Sequence, residues 1–407
     1  MTNPSVKIST EMFDTMSPIL YLSRMMCLQP LKWKKSDFTC AVIKSRFYIA
    51  CSCVVCTVIV LYGIYGLYMA YQTDVVYTMR LKTSAGRYVS YTDVAVVLGT
   101  FSIGVIITSS TTDDYLSYFY HLSKVDQLLQ KRLPRGYNYT ITTAATLFAG
   151  FAIFVFDLAT WLHLASKNES PYFLLICLVP YYVAYFSLFV IELLYWQLVY
   201  SIKIRLFMMN SKLRQIQNGG NVENPYVKVS NSVTGVRKIE TVKGKLIKST
   251  SLEKVEDLMK AYESLGEAAR IVNKCYGLVI AIVLLGCLIH LLVTAYAIRS
   301  LVASNGSDMY VVAQCVWMVV HIMRLVLIIE PCHGCLMQWK KALALICKVR
   351  ISDPEDSIKK SMDFFLGFLS QCKIEFTAFG LATIDRGLML GIAGTVTTYL
   401  VILLEFN

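Results

Sequence analysis

Hydrophobic residues in this chain are gathered into long blocks separated by polar segments, not spread through short alternating runs. The blocks at 47–71, 94–112 and 277–298 carry no formal charge. Three others are interrupted once each: 141–165 by Asp157, 172–200 by Glu192 and 311–329 by Arg324. Pro180 predicts a kink in the fourth block. A last block, 387–404, is 18 uncharged residues between Arg386 and Glu405. A helix needs about 20 apolar residues to cross a hydrocarbon core ~30 Å thick. The pattern therefore predicts an all-α membrane protein with seven transmembrane helices.

The polar segments have a pattern of their own. Thr250 and Glu253 form a capping box. After it, Leu252, Val255, Met259, Tyr262, Leu265, Ala269 and Val272 recur at three and four, an apolar stripe leading into the fifth block. Ser352 and Glu355 repeat the device before Ile358, Met362, Phe365, Leu369, Cys372 and Phe376. Two amphipathic helices running into membrane helices predict a bundle beside the membrane. The alternative is helices lying flat on the inner leaflet. The stretch 215–244, rich in Gly, Asn, Ser and Lys, predicts a loop, and 113–138 reads as a polar connection. No internal repeat is evident.

The expected organisation follows. Residues 1–46 form a cytoplasmic N-terminal segment, and 47–200 hold helices 1–4 with short loops. Residues 201–276 form a cytoplasmic loop with an amphipathic helix, and 277–330 hold helices 5–6. Residues 331–386 are a cytoplasmic anchor helix, and 387–407 are helix 7 and an extracellular C-terminus. Residues 1–44 hold no bounded apolar core with a cleavage site, so the first block is expected to act as a signal anchor.

Composition sharpens this. The chain is 407 residues, 56% hydrophobic and 16% charged, against about 25% charged for a soluble domain. The net charge of +12 sits mainly in 1–46, 124–135, 201–274 and 331–385. The positive-inside rule places those segments, and the N-terminus, in the cytoplasm. Such loops account for the charge without nucleic acid. The segment 72–93, with Arg80, Lys82 and Arg87, runs against the rule. Asn168 and Asn305 head glycosylation sequons on the expected outside, whereas the Asn138 sequon falls inside and should be unmodified. The thirteen cysteines do not form a disulfide framework, because Cys51, Cys53, Cys56, Cys177, Cys287 and Cys315 lie within membrane blocks. Cys332 and Cys335 have CxxC spacing without a second pair, so no metal is expected, and nothing calls for a cofactor. Phosphate loops, HExxH and nucleophile elbows are absent from the sequence, which argues against an enzyme.

The last block is not uniformly greasy. Gly387, Gly391 and Gly394 permit close helix contact, and Thr395, Thr397 and Thr398 add hydroxyls. Thr398, Val401 and Glu405 share one helical face. An acidic rim on such a helix reads either as a pore lining that attracts cations or as a carboxylate ending the helix at the interface.

Polar and aromatic groups also collect in the outer halves of four blocks: Asp157, Trp161 and His163; Tyr181, Tyr182 and Tyr185; His290 and Thr294; Gln314 and Trp317. Aromatic faces with a few hydrogen-bonding groups suit a small polar ligand; interfacial aromatics and helix–helix hydrogen bonds are the plainer explanation of each residue alone. Arg324, Glu330 and His321, with Glu192 as partner, predict a structural ion-pair network.

The segment Thr398-Tyr399-Leu400-Val401-Ile402-Leu403-Leu404-Glu405-Phe406 resembles the terminal signature of the insect gustatory receptors, Thr-Tyr, five apolar residues, Gln-Phe. It departs only in having Glu405 for Gln. Ala378-Phe379-Gly380-Leu381, Ile384-Asp385-Arg386 and Ile392-Ala393-Gly394 are also similar to that family. The resemblance implies a taste receptor of the plasma membrane that is itself a ligand-gated cation channel. It implies a homotetramer, or a hetero-oligomer with related receptors, whose last helices surround the pore. Thr398, Val401, Ile402, Glu405 and Phe406 would then be pore or gate residues. The expected partners are a small tastant, permeating cations and lipid. The hydroxyl- and aromatic-rich pocket favours a sugar or polyol, with a bitter compound as the alternative. A seven-helix receptor of inverted topology that signals without a pore is a further alternative; a G-protein-coupled receptor would need an outside N-terminus, and a transporter would need paired broken helices and an internal repeat.

Overall fold

A computed structural model describes residues 5–37, 39–72, 84–129, 139–166, 171–217, 239–303, 308–352 and 356–405. The elements run β1 (Ser5–Ser9), α1 (Thr10–Met25), β2 (Leu31–Lys35), β3 (Thr39–Lys44), α2 (Arg46–Gln72), α3 (Ser84–Ser110), α4 (Thr112–Leu129), α5 (Tyr139–Ser166), α6 (Pro171–Gln217), α7 (Ile239–Ala303), α8 (Asp308–Ser352), α9 (Asp356–Gln371), β4 (Thr377–Ala378), β5 (Ala382–Thr383) and α10 (Arg386–Glu405). Among the described residues, five helices carry a segment long and apolar enough to cross a membrane: 46–69, 143–160, 179–217, 255–299 and 311–350. The bent pair α3–α4 makes up to six if it counts as one span, and Arg386–Ile402 is a further apolar helix of shorter length. This is the seven-helix, all-α membrane fold that block length predicted.

The structure differs from the sequence reading between the blocks. The second block does not end in a polar connection: after a 64° bend the chain enters helix α4. The bend has a local cause. The hydroxyls of Thr108, Thr111 and Thr112 turn back onto the carbonyls of Gly104, Ile107 and Ser109, at 2.9, 2.8 and 2.8 Å, a pattern that competes with straight helix. Asp113 and Asp114 then open α4, where the helix dipole favours acidic groups. Tyr115, Leu116, Tyr118, Phe119, Leu122, Val125 and Leu129 bury one face of it.

Helices α6, α7 and α8 run well beyond bilayer length, at 47, 65 and 45 residues. The polar stretch after residue 200 begins inside α6, not in a loop. Arg205 sits there buried, gripped by Asp126 of α4 at 2.8 and 2.6 Å. α8 continues through Pro331. The amphipathic stripes pack as their spacing predicts: Val255, Tyr262, Leu265, Ala269 and Val272 of α7, and Met362, Phe365 and Leu369 of α9, are buried. α6 is the central helix, with its most extensive contact against α8.

Residues before α2, read as a mixed polar segment, form a three-stranded antiparallel sheet in the order β1-β3-β2. Ile8, Leu31, Cys40 and Val42 point to the buried side of that sheet.

A small hairpin, β4–β5, leads into α10. Its turn places Phe379 and Gly380 at φ 54° and 73°, the left-handed region that glycine tolerates best. The hairpin lies against α7 at Gly277, where an added Cβ would come within 3.2 Å of the Phe379 backbone nitrogen. Asn273 clamps it from both sides: Nδ2 donates to the Glu375 carbonyl at 2.9 Å, and Oδ1 accepts from the Thr377 N–H at 3.0 Å. Asn273→Ala should cost roughly 1–3 kcal/mol by stranding those backbone groups, seen as a lower midpoint in a thermal size-exclusion assay. An unchanged midpoint would show that the hairpin docks without this clamp.

Candidate functional site

Asp157 of α5 is 4% exposed, so its carboxylate needs partners. The Trp317 indole Nε1 donates to Oδ1 at 2.7 Å from α8, and the Tyr182 hydroxyl donates to Oδ2 from α6. Three helices thus meet on one carboxylate. Around it, Trp317 and Tyr185 pack edge to face with centroids 5.2 Å apart, and Phe154 closes on both rings. Tyr181 stands 5.9 Å from Tyr185.

One helical turn further along α8, His321 stacks on Trp317 at 5.8 Å. On its own account it lies parallel to His290 of α7, 4.5 Å away at 6°. Next comes Arg324, buried. Its Nε donates to Glu192 Oε2 at 3.0 Å, its Nη2 to Oε1 at 2.5 Å, and its Nη1 to the Tyr185 hydroxyl at 2.5 Å. A cleft of about 270 Å³, counting its open mouth, lies against this layer, with Thr100, Tyr185, Gly286, His290 and Arg324 among its walls. Its enclosed space is only about 20 Å³, room for about one water and far short of a small-molecule pocket, so a ligand there needs the walls to move apart. The tyrosine hydroxyl of residue 185 therefore bridges the guanidinium layer and the aromatic layer.

Of the residues expected at a pocket, the structure brings together Asp157, Tyr181, Tyr182, Tyr185, His290 and Trp317. Thr294 is buried one turn beyond His290, and Gln314 is half-buried one turn before Trp317. His163 is exposed on α5, and the Trp161 side chain lies outside the description. Sequence reasoning did not place Phe154 or Thr100 here. The expected ion-pair network holds at Arg324 and Glu192 but not at Glu330. Glu330 faces Arg386, the first residue of α10, at 2.8 and 3.0 Å, while Arg324 pairs with Glu192.

The last helix is largely unpacked within one chain. Leu390 is 71% exposed and Tyr399 54%, and Thr398, Val401, Ile402 and Glu405 are exposed as well. Gly391 and Gly394 have nothing within 4 Å of an added Cβ. The hydroxyls of Thr395, Thr397 and Thr398 bond back to carbonyls four residues earlier. Phe406, Asn138, Asn168 and Asn305 lie outside the described residues. Cys332 and Cys335 are buried thiols, the first against the Tyr195 hydroxyl at 3.0 Å. Among the described residues no three His, Cys, Asp or Glu side chains converge on a metal position.

Comparison with known proteins extends over nearly the whole chain. The family model described as 7tm Chemosensory receptor matches residues 16–407. The chain is 23% identical to "Gustatory receptor for sugar taste 43a" of Drosophila melanogaster, over 96% of this chain and 97% of that one. It is 25% identical to "Putative gustatory receptor 28b" of the same species over 38% of this chain and 34% of the other. Among solved structures, the insect olfactory receptor OR5 from Machilis hrabei superposes with a TM-score of 0.64 at 13% identity, covering 97% of this chain and 99% of that chain. The same receptor in complex with eugenol gives 0.53 at 12% identity, covering 97% and 98%.

Proposed function

We propose, for a chain that belongs to the 7tm chemosensory receptor family of insects, that it is a taste receptor and a ligand-gated cation channel. It is a multi-pass protein of the plasma membrane. In this reading a small extracellular tastant enters beside Asp157 and Trp317, and copies of α10 from several subunits, four by resemblance, surround a pore. The sheet, the long inner ends of α6–α8 and helix α9 lie in the cytoplasm, where subunits pack.

The observation that carries the reading is that one helix, α8, touches both places. Trp317 holds the Asp157 carboxylate, Arg324 anchors the helix to α6, and Glu330 holds Arg386 where α10 begins. A ligand that moves Trp317 bears on α8 and so on the start of α10. It opens the pore if it binds the open arrangement better than the closed one. The Glu330–Arg386 pair is half-exposed, so its strength is small, which suits a tether that can be remade in either state.

A sugar or polyol is the favoured ligand class. Hydroxyls could replace Tyr182 and Trp317 as donors to Asp157, and apolar sugar faces suit the surrounding rings. The sugar-taste relative supports this choice. The same carboxylate among aromatic rings would hold a cationic bitter alkaloid, so both classes belong in the ligand screen.

The pore assignment is tested at Glu405. A ring of carboxylates concentrates divalent ions. Glu405→Gln should leave surface expression intact and weaken calcium block or permeation by several-fold in whole-cell recordings. An identical selectivity and block profile would remove Glu405 from the conduction path.

A further inference from the structure

We infer a second ligand site on the cytoplasmic side: the end of α1, the outer face of the N-terminal sheet and the first turn of α2 form a docking surface for the anionic headgroup of an inner-leaflet lipid. Its level in the membrane follows from α2. The apolar span starts at Arg46, so Arg46, Phe47 and Tyr48 lie where hydrocarbon gives way to headgroups. Arg24, from the last turn of α1, places its guanidinium 4.3 Å from the centre of the Tyr48 ring and donates to the Tyr48 hydroxyl. Lys32 of β2 brings its ammonium within 6.0 Å of the same ring. The helix end and the sheet are thereby fixed at the interface by one tyrosine, a residue type suited to that depth.

The sheet register adds charge to this spot. Lys7 of β1 and Lys34 of β2 both pair with Ala41 of β3, and Lys32 pairs with Ile43, two residues along. Side chains alternate faces along a strand, so Lys7, Lys32 and Lys34 share the outer face, and all three are exposed. The neighbouring acids offset little of this. Asp14 pairs with Lys35 and Asp113 with Lys44, each at 2.7 Å, so these two acids are taken up by lysines of the sheet's other face.

Apolar groups stand beside the cations. Met25, next to Arg24, is 80% exposed, and Phe47, next to Arg46, 67%. Exposed apolar side chains flanked by long cationic ones are what an interfacial surface requires, with the apolar tips among acyl chains and the ammonium and guanidinium groups on phosphates. Charge decides the occupant. The cytoplasmic leaflet carries the anionic lipids, and each basic residue near it adds to the attraction. The inference is independent of which tastant opens the protein.

The test uses the full-length protein in detergent micelles and in phosphatidylcholine nanodiscs, with fluorescent phosphatidylinositol bisphosphate as the probe. Arg24→Gln/Lys32→Gln/Lys34→Gln should weaken binding at least ~10-fold. Lys32→Gln/Lys34→Gln, which leaves the Tyr48 contact of Arg24 intact, should weaken it by a smaller factor, and Lys32→Arg/Lys34→Arg should keep it. Lys340→Gln/Lys341→Gln/Lys360→Gln, an equal charge loss at exposed positions elsewhere, should change it little. Equal losses in the patch and control variants, or none in the patch variants, would overturn the site. Soluble inositol phosphate binding as tightly as the lipid would overturn the membrane source and leave a free-phosphate site instead.

Discussion

Arg324→Ala is expected to remove most of the receptor from the cell surface. The Arg324 and Glu192 side chains are 6% and 0% exposed and joined by three hydrogen bonds from the guanidinium. Removing one partner of such a pair leaves the other charge without compensation, a loss of roughly 3–5 kcal/mol. The Tyr185 hydroxyl loses its guanidinium as well, so the damage extends into the aromatic layer. The measurement is surface biotinylation beside a thermal size-exclusion profile of the solubilised protein. Arg324→Gln/Glu192→Gln, which removes both charges and keeps hydrogen-bonding groups, should recover part of the loss. If Arg324→Ala matures and melts like the parent, the pair does not hold α6 to α8.

Asp157→Ala should act on a different quantity. A hydrogen bond to a charged group contributes roughly 1.5–3 kcal/mol, so losing the carboxylate should shift the agonist dose–response curve about 10- to 100-fold to higher concentration. Surface expression should fall far less, because Trp317 and Tyr185 remain packed edge to face. Asp157→Asn keeps the shape but not the charge and should fall between the two. A large drop in surface protein with an unchanged half-maximal concentration would assign Asp157 to folding and remove it from recognition.

Membrane blocks were legible in the sequence because absence of charge over a bilayer's thickness is a one-dimensional property. The segments between them were legible only where a stripe was sought. Tyr115, Phe119, Leu122, Val125 and Leu129 recur at helical spacing within 113–138, but Asp113, Asp114 and Lys124 made the stretch read as a connection. The alternation in Leu31–Lys35 and Thr39–Lys44 likewise marks strands, hidden by the many lysines on the outer face.

Site residues divide in the same way. Asp157, Tyr182 and Trp317 stood out as polar or aromatic groups at a common depth, and they meet. Glu192 as partner of Arg324 was legible as a charge at matching depth, but adding Glu330 to the pair failed on geometry: six residues turn a helix about 240° past the starting face, so Glu330 looks towards α10 instead of α6. The stack of His290 on His321 depends on the register of α7 against α8, which no local pattern specifies. The pore assignment of α10 came from resemblance. The exposure of its Leu390, Tyr399, Val401 and Ile402 shows a helix that one chain leaves uncovered, the condition for neighbours or lipid to cover it.

In the proposed function, this protein converts ligand binding into ion flow. The most direct measurement is single-channel recording from the purified protein in a planar bilayer, with sugars, polyols and alkaloids applied in turn. Cation currents should appear with one ligand class and show several-fold weaker calcium block or permeation in Glu405→Gln. A preparation that binds a tastant saturably, yet never conducts, would contradict it.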